Sequence, residues 1–345
     1  GVYLSPWDRH EKTYGTDEYN DFFVGQLTEL CTNYGDIFCF WFDGACGEGP
    51  NGKKQVYDWQ RYYSTIRELQ PNAVISVCGP DVRWIGNEAG KVRESEWSVI
   101  PADKEKEEAI MENSQQTDDG GKEVSKTDER DADLGSREVL RNHSKLVFKP
   151  AEADVSINLG WLWHGNLYYL FKKNRTAKDL ADIYFKTVGG NATLLLNVPP
   201  NRDGLIDKRE IKTLKAFTEM INAPFTGEIT DFTLSVVDEN TEERAVSDKE
   251  SCLFGDNEYI LKVACSKEEE VSTLVLREDL RFSQRIESFE IYAKLNGEYK
   301  KIGNGTVIGS KKILFLKEKV KTSELLIAVT GTRENPVIRS VAFYN

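Results

Sequence analysis

The strongest constraint on the fold of this chain is an alternation that recurs along its first two thirds. Short unbroken apolar runs are followed by segments whose apolar residues fall three or four apart. Residues 37–43, IFCFWFD, are apolar or aromatic up to the last one, and residues 73–81, AVISVCGPD, repeat the pattern. A run of this kind has no polar face to offer water, so it suits a parallel strand covered on both sides. Residues 1–4 read as an earlier strand. Between the strands, Phe22, Phe23, Gln26, Leu27, Leu30 and Tyr34 line one helical face. Thr16 or Asp17 can cap that helix, and Gly35 can end it in a left-handed turn. VYDWQRYYSTIRELQPN predicts a second helix stopped by Pro71. The alternation resumes with a strand in ADVSI, a helix capped by Thr176, a strand in ATLLLNVPP and a helix in DKREIKTLKAFTEMINA. This is the order of an α/β domain with a parallel sheet.

Two segments break the pattern. Residues 103–131 are charged and nearly free of aromatics, which predicts a solvated, mobile insert. From about Phe225 helical periodicity disappears. Short β-rich runs (FTLSVV, YILKVAC, STLVLRED, ESFEIYAKL, TVIG, KILFL, ELLIAVTG, IRSVAFYN) recur between turns, the signature of an antiparallel β-sandwich. The expected organisation is therefore an α/β portion over 1–223, carrying the insert at about 103–131, and a β-sandwich over 224–345, with the boundary near Ala223-Pro224.

Charge narrows the partners. The 345 residues carry a net charge of -12, which disfavours nucleic acid and anionic membrane surfaces, because phosphate binding needs a basic face. There is no run of about 18 apolar residues, so no membrane-spanning helix is expected, and no signal peptide is visible. Six cysteines without a CxxC pair sit mostly inside apolar runs and read as buried thiols. Three histidines argue against a histidine-rich zinc site, and NRDGLID at 201–207 reads as a turn rather than a calcium loop. No cofactor or metal is implied. Asn142, Asn174, Asn191 and Asn304 begin N-x-S/T sequons, but Asn191 lies against a strand where a glycan would not fit.

In parallel α/β domains, reactive groups collect at the carboxyl ends of strands. The run 37–43 puts Asp43 there, although Asp43-Gly44 also suits a plain turn. The next strand brings Asp81, Arg83, Glu88, Glu94 and Glu96 to the same rim. Two carboxylates flanking a bond are what glycoside hydrolysis needs. The tryptophans Trp7, Trp41, Trp84, Trp161 and Trp163 suit the apolar face of a sugar. Gly44, Gly47 and Gly49 suggest a loop that can approach one closely.

The blocks GVYLSPWDRH, NYGDIFCFWFDGACGEGPNGKKQVYDW, LQPNAVISVCGPDVRWIGNEAG, ESEWSVIP, DLGSREVL, PAEADVSINLGWLWH and NATLLLNVPPNRDGLI resemble, in this order, glycoside hydrolase family 29, the α-L-fucosidases. Within it they are more similar to the branch acting on α-1,3/1,4-linked fucose. The resemblance covers most of residues 1–222. It implies a (β/α)8-like (TIM) barrel followed by a β-sandwich, and hydrolysis with retention through a covalent fucosyl-enzyme. It implies Asp43 as the nucleophile and Glu88 as the general acid/base, with Glu94 and Glu96 as competitors. Tyr3, Trp41 and Arg83 match fucose-pocket positions. Trp84, Glu48, Trp161 and His164 would bound the aglycone side. A pKa raised by burial beside Trp84 and Ile85 would keep Glu88 protonated. The partner would be a fucosylated oligosaccharide or glycoconjugate, met at a secreted, periplasmic or cell-surface location.

Three departures accompany the resemblance. The family has βα units and sugar-binding histidines before the position of Tyr3, so the barrel is expected to be incomplete at its N-terminus and the segment alone poorly folded or inactive. Asn158-Leu159 stands where Arg-Pro is expected. The charged segment 103–131 is longer than the family needs. The rival readings are a non-catalytic carbohydrate-binding protein and an inactive fucosidase fragment. The sandwich itself reads as a buttress rather than a sugar-binding module.

Overall fold

The computed structural model describes residues 1–44, 46–102, 132–165 and 174–345. The charged insert expected at 103–131 lies outside them. The described chain forms two compact units, Gly1–Gly86 with Val99–Glu152, and Asn87–Ser98 with Ala153–Asn345.

The first unit is built on three parallel strands, β1 (Val2–Leu4), β2 (Cys39–Phe42) and β3 (Val74–Val77), in the order β1-β2-β3. Tyr3 pairs with Trp41, and Phe42 with Val77. Helix α1 (Asp17–Asn33) connects β1 to β2, and α2 (Trp59–Leu69) connects β2 to β3. The sequence sets the helix ends. Asp17 and Glu18 place negative charge in the first turn of α1, where the helix dipole favours it. Gly35, at φ +79, ends it in the left-handed region. The Asp58 side chain caps α2 by accepting from Arg61 N. Gln70, just before Pro71, locks the two units of secondary structure together. It donates to the Cys31 and Gly35 carbonyls and accepts from Ile37 N.

The buried face of α1 is Tyr19, Phe23, Leu27 and Cys31, one turn apart. Phe22 and Tyr34, expected on that face, are exposed. An aromatic core forms around Phe23, Phe40, Phe42, Trp59 and Tyr62, each fully buried large side chain contributing about 1.5–3 kcal/mol. β4 (Arg83–Trp84) pairs in parallel with the start of β7 (Ala151–Ser156), Trp84 opposite Glu152. β5 (Val99–Pro101) and β6 (Leu146–Phe148) make an antiparallel pair, preceded in β6's case by the short helix α3 (Arg137–Leu140).

In the second unit the chain leaves β7 and bonds to the end of β8 (Ala192–Asn197), Ile157 N donating to Asn197 O. Helix α4 (Ala177–Thr187) starts with a capping box between Thr176 and Asp179, and α5 (Lys208–Asn222) follows β8. A fully antiparallel nine-stranded sheet comes next: β9 (Glu228–Ile229), β10 (Phe232–Asp238), β11 (Glu243–Val246), β12 (Cys252–Leu253), β13 (Glu258–Glu278), β14 (Ile286–Leu295), β15 (Glu298–Gly305), β16 (Lys312–Thr332) and β17 (Val337–Tyr344). β13 and β16 each run for 21 residues and pair with one another over two stretches. The first part of β13 also pairs with β10 and its second part with β17. The register shifts between Ala264 and Glu269 and between Val271 and Thr273. One core includes Leu261, Leu274, Phe289, Ile327 and Phe343. The units are not cut at Ala223-Pro224: α4, β8 and α5 group with the antiparallel sheet. Phe185 of α4 packs edge-on against Phe315, and Lys311 lies over the Tyr184 ring.

Asn191 sits at the centre of that docking. It is buried at φ +70. Its amide donates to Glu96 O and accepts from Ser310 N, both at 2.7 Å. Gln284 accepts from Ser98 N and donates to Glu96 O. A glycan on Asn191 is excluded by this geometry. All six cysteines are free thiols, four of them buried. No described helix is long and apolar enough to cross a membrane.

Candidate active site

Asp43 follows Phe42 directly, at the carboxyl end of β2. The β1–β2 register places Tyr3 beside Trp41, and their rings stack at 5.2 Å with 24° between planes. From there the Tyr3 hydroxyl reaches along the strand and donates to Asp43 Oδ2 at 2.5 Å. Burial of the hydroxyl, then the Asp43 charge and hydrogen bond, push the Tyr3 phenol well above its ordinary pKa, although the ring is 59% exposed. Tyr3 is therefore a donor throughout the physiological range.

Trp41 is fixed from the other side. Its indole Nε1 donates to Glu152 Oε1 at 2.7 Å. Glu152 is 6% exposed, and its backbone is held in β7 by pairing with Trp84 and by Ile85 N. The sequence reading missed Glu152. Two acids, Glu152 and Asp154, in a strand-forming AEADVSI run are the signal that marked it. At the same strand ends Val77 adopts φ +66, an outlier for a β-branched residue. Such strain gathers where function over-determines the backbone.

Tyr3, Trp41 and Asp43 are thus brought together. Arg83 is on β4 and buried, at 1% exposed. Trp84 is partly buried and packs against the aromatic core. Asp81 leaves the candidate rim set: Arg67 binds both its oxygens, at 2.5 and 2.6 Å, and Ile75 N donates to it. Glu48 is exposed, its backbone paired antiparallel with that of Lys54, and its carbonyl receives the Trp7 indole at 3.4 Å. The glycines around it serve packing within the protein. A Cβ on Gly47 would come within 2.1 Å of the Trp7 ring, and one on Gly49 within 2.5 Å of Tyr14.

Glu88, in the second unit, projects from a tight turn. Asn87 Oδ1 accepts from Ala89 N and Lys91 N, and Gly90 at φ +69 lies against Ile183 and Val155. Arg175 donates to Glu88 O at 3.3 Å. Glu88 is exposed rather than buried as expected. Glu96 is removed as a competitor. It is fully buried and held by Arg93 N and the Arg93 guanidinium at 3.3 Å. Glu94 is exposed, its carbonyl accepting from Thr306.

Trp161 and His164 lie on an exposed loop of the same unit. Ser156 Oγ donates to Gly160 O, and Asn197 Nδ2 to Trp161 O. Trp163 turns away, its indole donating to Asp207. Asn158, where Arg-Pro was expected to begin, is buried and donates to Glu210 Oε1 at 2.8 Å, while Leu159 is exposed. Residues 201–207 form a turn in which Asn201 Oδ1 accepts from Asp203 N and Leu205 N. Among the described residues no three His, Cys, Asp or Glu side chains converge as metal ligands.

The stacked pair at the strand ends is held by two carboxylates, Tyr3 on Asp43 and Trp41 on Glu152. The sequence profile of the alpha-L-fucosidases matches residues 2–223, and the chain belongs to that family. It is 36% identical to Alpha-L-fucosidase 1 of Arabidopsis thaliana over 100% of this chain and 65% of that protein. A solved Bacteroides ovatus protein assigned as an alpha-L-fucosidase is 39% identical, with a TM-score of 0.79 over 100% of this chain and 55% of its own. A family 29 fucosidase from Ruminococcus gnavus, solved in complex with fucose, is 25% identical with a TM-score of 0.74, over 99% of this chain and 71% of its own. The chain thus spans about two thirds of the plant relative and about half of the Bacteroides ovatus protein.

Proposed function

We propose that the protein containing this chain is a retaining α-L-fucosidase that removes terminal α-1,3/1,4-linked fucose from glycans. The observation that carries the reading is the Tyr3–Asp43 hydrogen bond at the end of β2, beside the stacked Trp41. Family membership and the fucose complex of a relative support the substrate class. Residues 1–223 are read as part of a (β/α)8-like barrel, with β1-α1-β2-α2-β3 as successive parallel units, and 224–345 as its β-sandwich.

In this mechanism Asp43 attacks the anomeric carbon and Glu88 protonates the departing oxygen. Tyr3 holds the Asp43 carboxylate in one orientation, and Trp41, itself anchored by Glu152, offers an apolar wall to the sugar. Water activated by Glu88 then cleaves the fucosyl-enzyme with retention. An exposed Glu88 needs its proton held by the substrate: a bound glycan excludes water, and desolvation favours the neutral acid. The reading favours a secreted, periplasmic or cell-surface location over a cytoplasmic one, because such glycans are extracellular.

The test incubates the full-length protein with 2-chloro-4-nitrophenyl α-L-fucoside and a Lewis-type trisaccharide and follows the first-formed anomer by NMR. Release of α-fucose from both is expected. Release of β-fucose, or no release from either, contradicts the reading.

A further inference from the structure

We propose that Arg175 is a positioning residue for the general acid, clamping the turn that carries Glu88 onto the end of β7. The inference rests on the assignment of Glu88 under the proposed function. Arg175 lies just before the capping residue of α4 and makes three hydrogen bonds to backbone. Its own N–H donates to Ile157 O at 3.1 Å, Nη1 to Ser156 O at 2.6 Å and Nη2 to Glu88 O at 3.3 Å. One planar side chain therefore spans the strand end and the acid's own peptide unit.

The rest of the turn is arranged to make that contact decisive. The Asn87 side chain closes the turn internally, accepting from Ala89 N and Lys91 N and donating to Lys91 O. Those bonds fix the turn's shape and not its position. Gly90 sets it down on α4 and β7, where a Cβ would stand 2.6 Å from Ile183. Arg175 adds a side-chain hydrogen bond to the Glu88 backbone itself. A guanidinium suits the task because its donors diverge from a rigid plane, whereas a lysine ammonium is a single point on a flexible stem. Displacing the acid by about 1 Å is enough to cost catalysis heavily.

Loss of acid positioning has a signature that general damage lacks. A leaving group as good as chloronitrophenolate departs with little protonation, while a sugar alkoxide cannot. The experiment compares Arg175→Met, Arg175→Lys and Glu88→Ala in the full-length protein, each on 2-chloro-4-nitrophenyl α-L-fucoside and on a Lewis-type trisaccharide. Melting temperature is recorded alongside. Arg175→Met is expected to lower kcat/KM, which reports formation of the fucosyl-enzyme, about 100-fold on the trisaccharide and less than about 5-fold on the aryl fucoside. Arg175→Lys, which keeps the stem and the charge, is expected to fall between wild type and Arg175→Met on the trisaccharide alone. An equal loss of kcat/KM on both substrates, or none on either, in the folded variants overturns the clamp. If Glu88→Ala keeps its trisaccharide rate, the acid assignment itself fails and the clamp with it.

Discussion

Tyr3 is where residue identity and chemistry meet most closely. Its backbone register, its stacking on Trp41 and its donation to Asp43 all follow from β1 lying beside β2. Hydrogen bonds to charged groups are worth about 1.5–3 kcal/mol. Tyr3→Phe keeps the ring and the stack, so kcat is expected to fall about 10–100-fold with KM changed less, measured by steady-state kinetics on an aryl fucoside. An unchanged kcat would show that the contact does not orient the carboxylate. The strand that leads to Asp43 was legible in the sequence because an unbroken apolar run marks a covered strand, whereas local sequence left the acid open between a turn and a reactive group. Glu152 was not, because its role depends on Trp41, 111 residues away in the chain. Gly47 was misread for a similar reason: its missing side chain makes room for Trp7, a contact across the loop that no local pattern announces.

At the scale of elements, the docking of α4 and β8 on the antiparallel sheet depends on Asn191. Its amide bonds to Glu96, Ser98, Gln284 and Ser310, and a Cβ on Gly309 would strike it at 2.2 Å. Asn191→Ala strands buried partners and places Ala at φ +70. A loss of about 3 kcal/mol is expected by urea unfolding, and a loss below about 1 kcal/mol would contradict the hub. Apolar periodicity gave α1, α2, β2 and β3 correctly, since those elements bury a face locally. It split β13 and β16 into short runs. Their middles are charged, and the strands continue there because opposite charges pair across them, Lys319 with Glu270 and Lys321 with Glu268. TVIG, read as a strand, is a loop whose Val307 and Ile308 are nonetheless buried. The buried face of α1 runs through Tyr19 and Cys31, which the expected stripe left out, and not through Phe22 and Tyr34.

At the scale of the whole molecule, acidity acts on the antiparallel sheet through Asp279. Hydrogen bonds from Arg281 and then Ser251 hold this carboxyl far below the ordinary aspartate value. Its folded pKa is lower than its unfolded one. Its stabilisation is therefore present above about pH 4 and lost as the pH falls below that. Neighbouring Glu278, raised by burial, acts in the opposite sense and does not add to the loss. Asp279→Asn is expected to lower the melting temperature at pH 5 but to narrow the drop between pH 5 and pH 3; an identical drop would contradict this. The central claim is that Asp43 forms the covalent bond to fucose. Fluorine at C2 of an activated fucoside destabilises the oxocarbenium-like transition states and lets the glycosyl-enzyme accumulate. Mass spectrometry of peptides from the full-length protein after such labelling is expected to place the adduct on the Asp43 peptide and to find none in Asp43→Ala. An adduct on another carboxylate, or continued turnover by Asp43→Ala, would contradict the account.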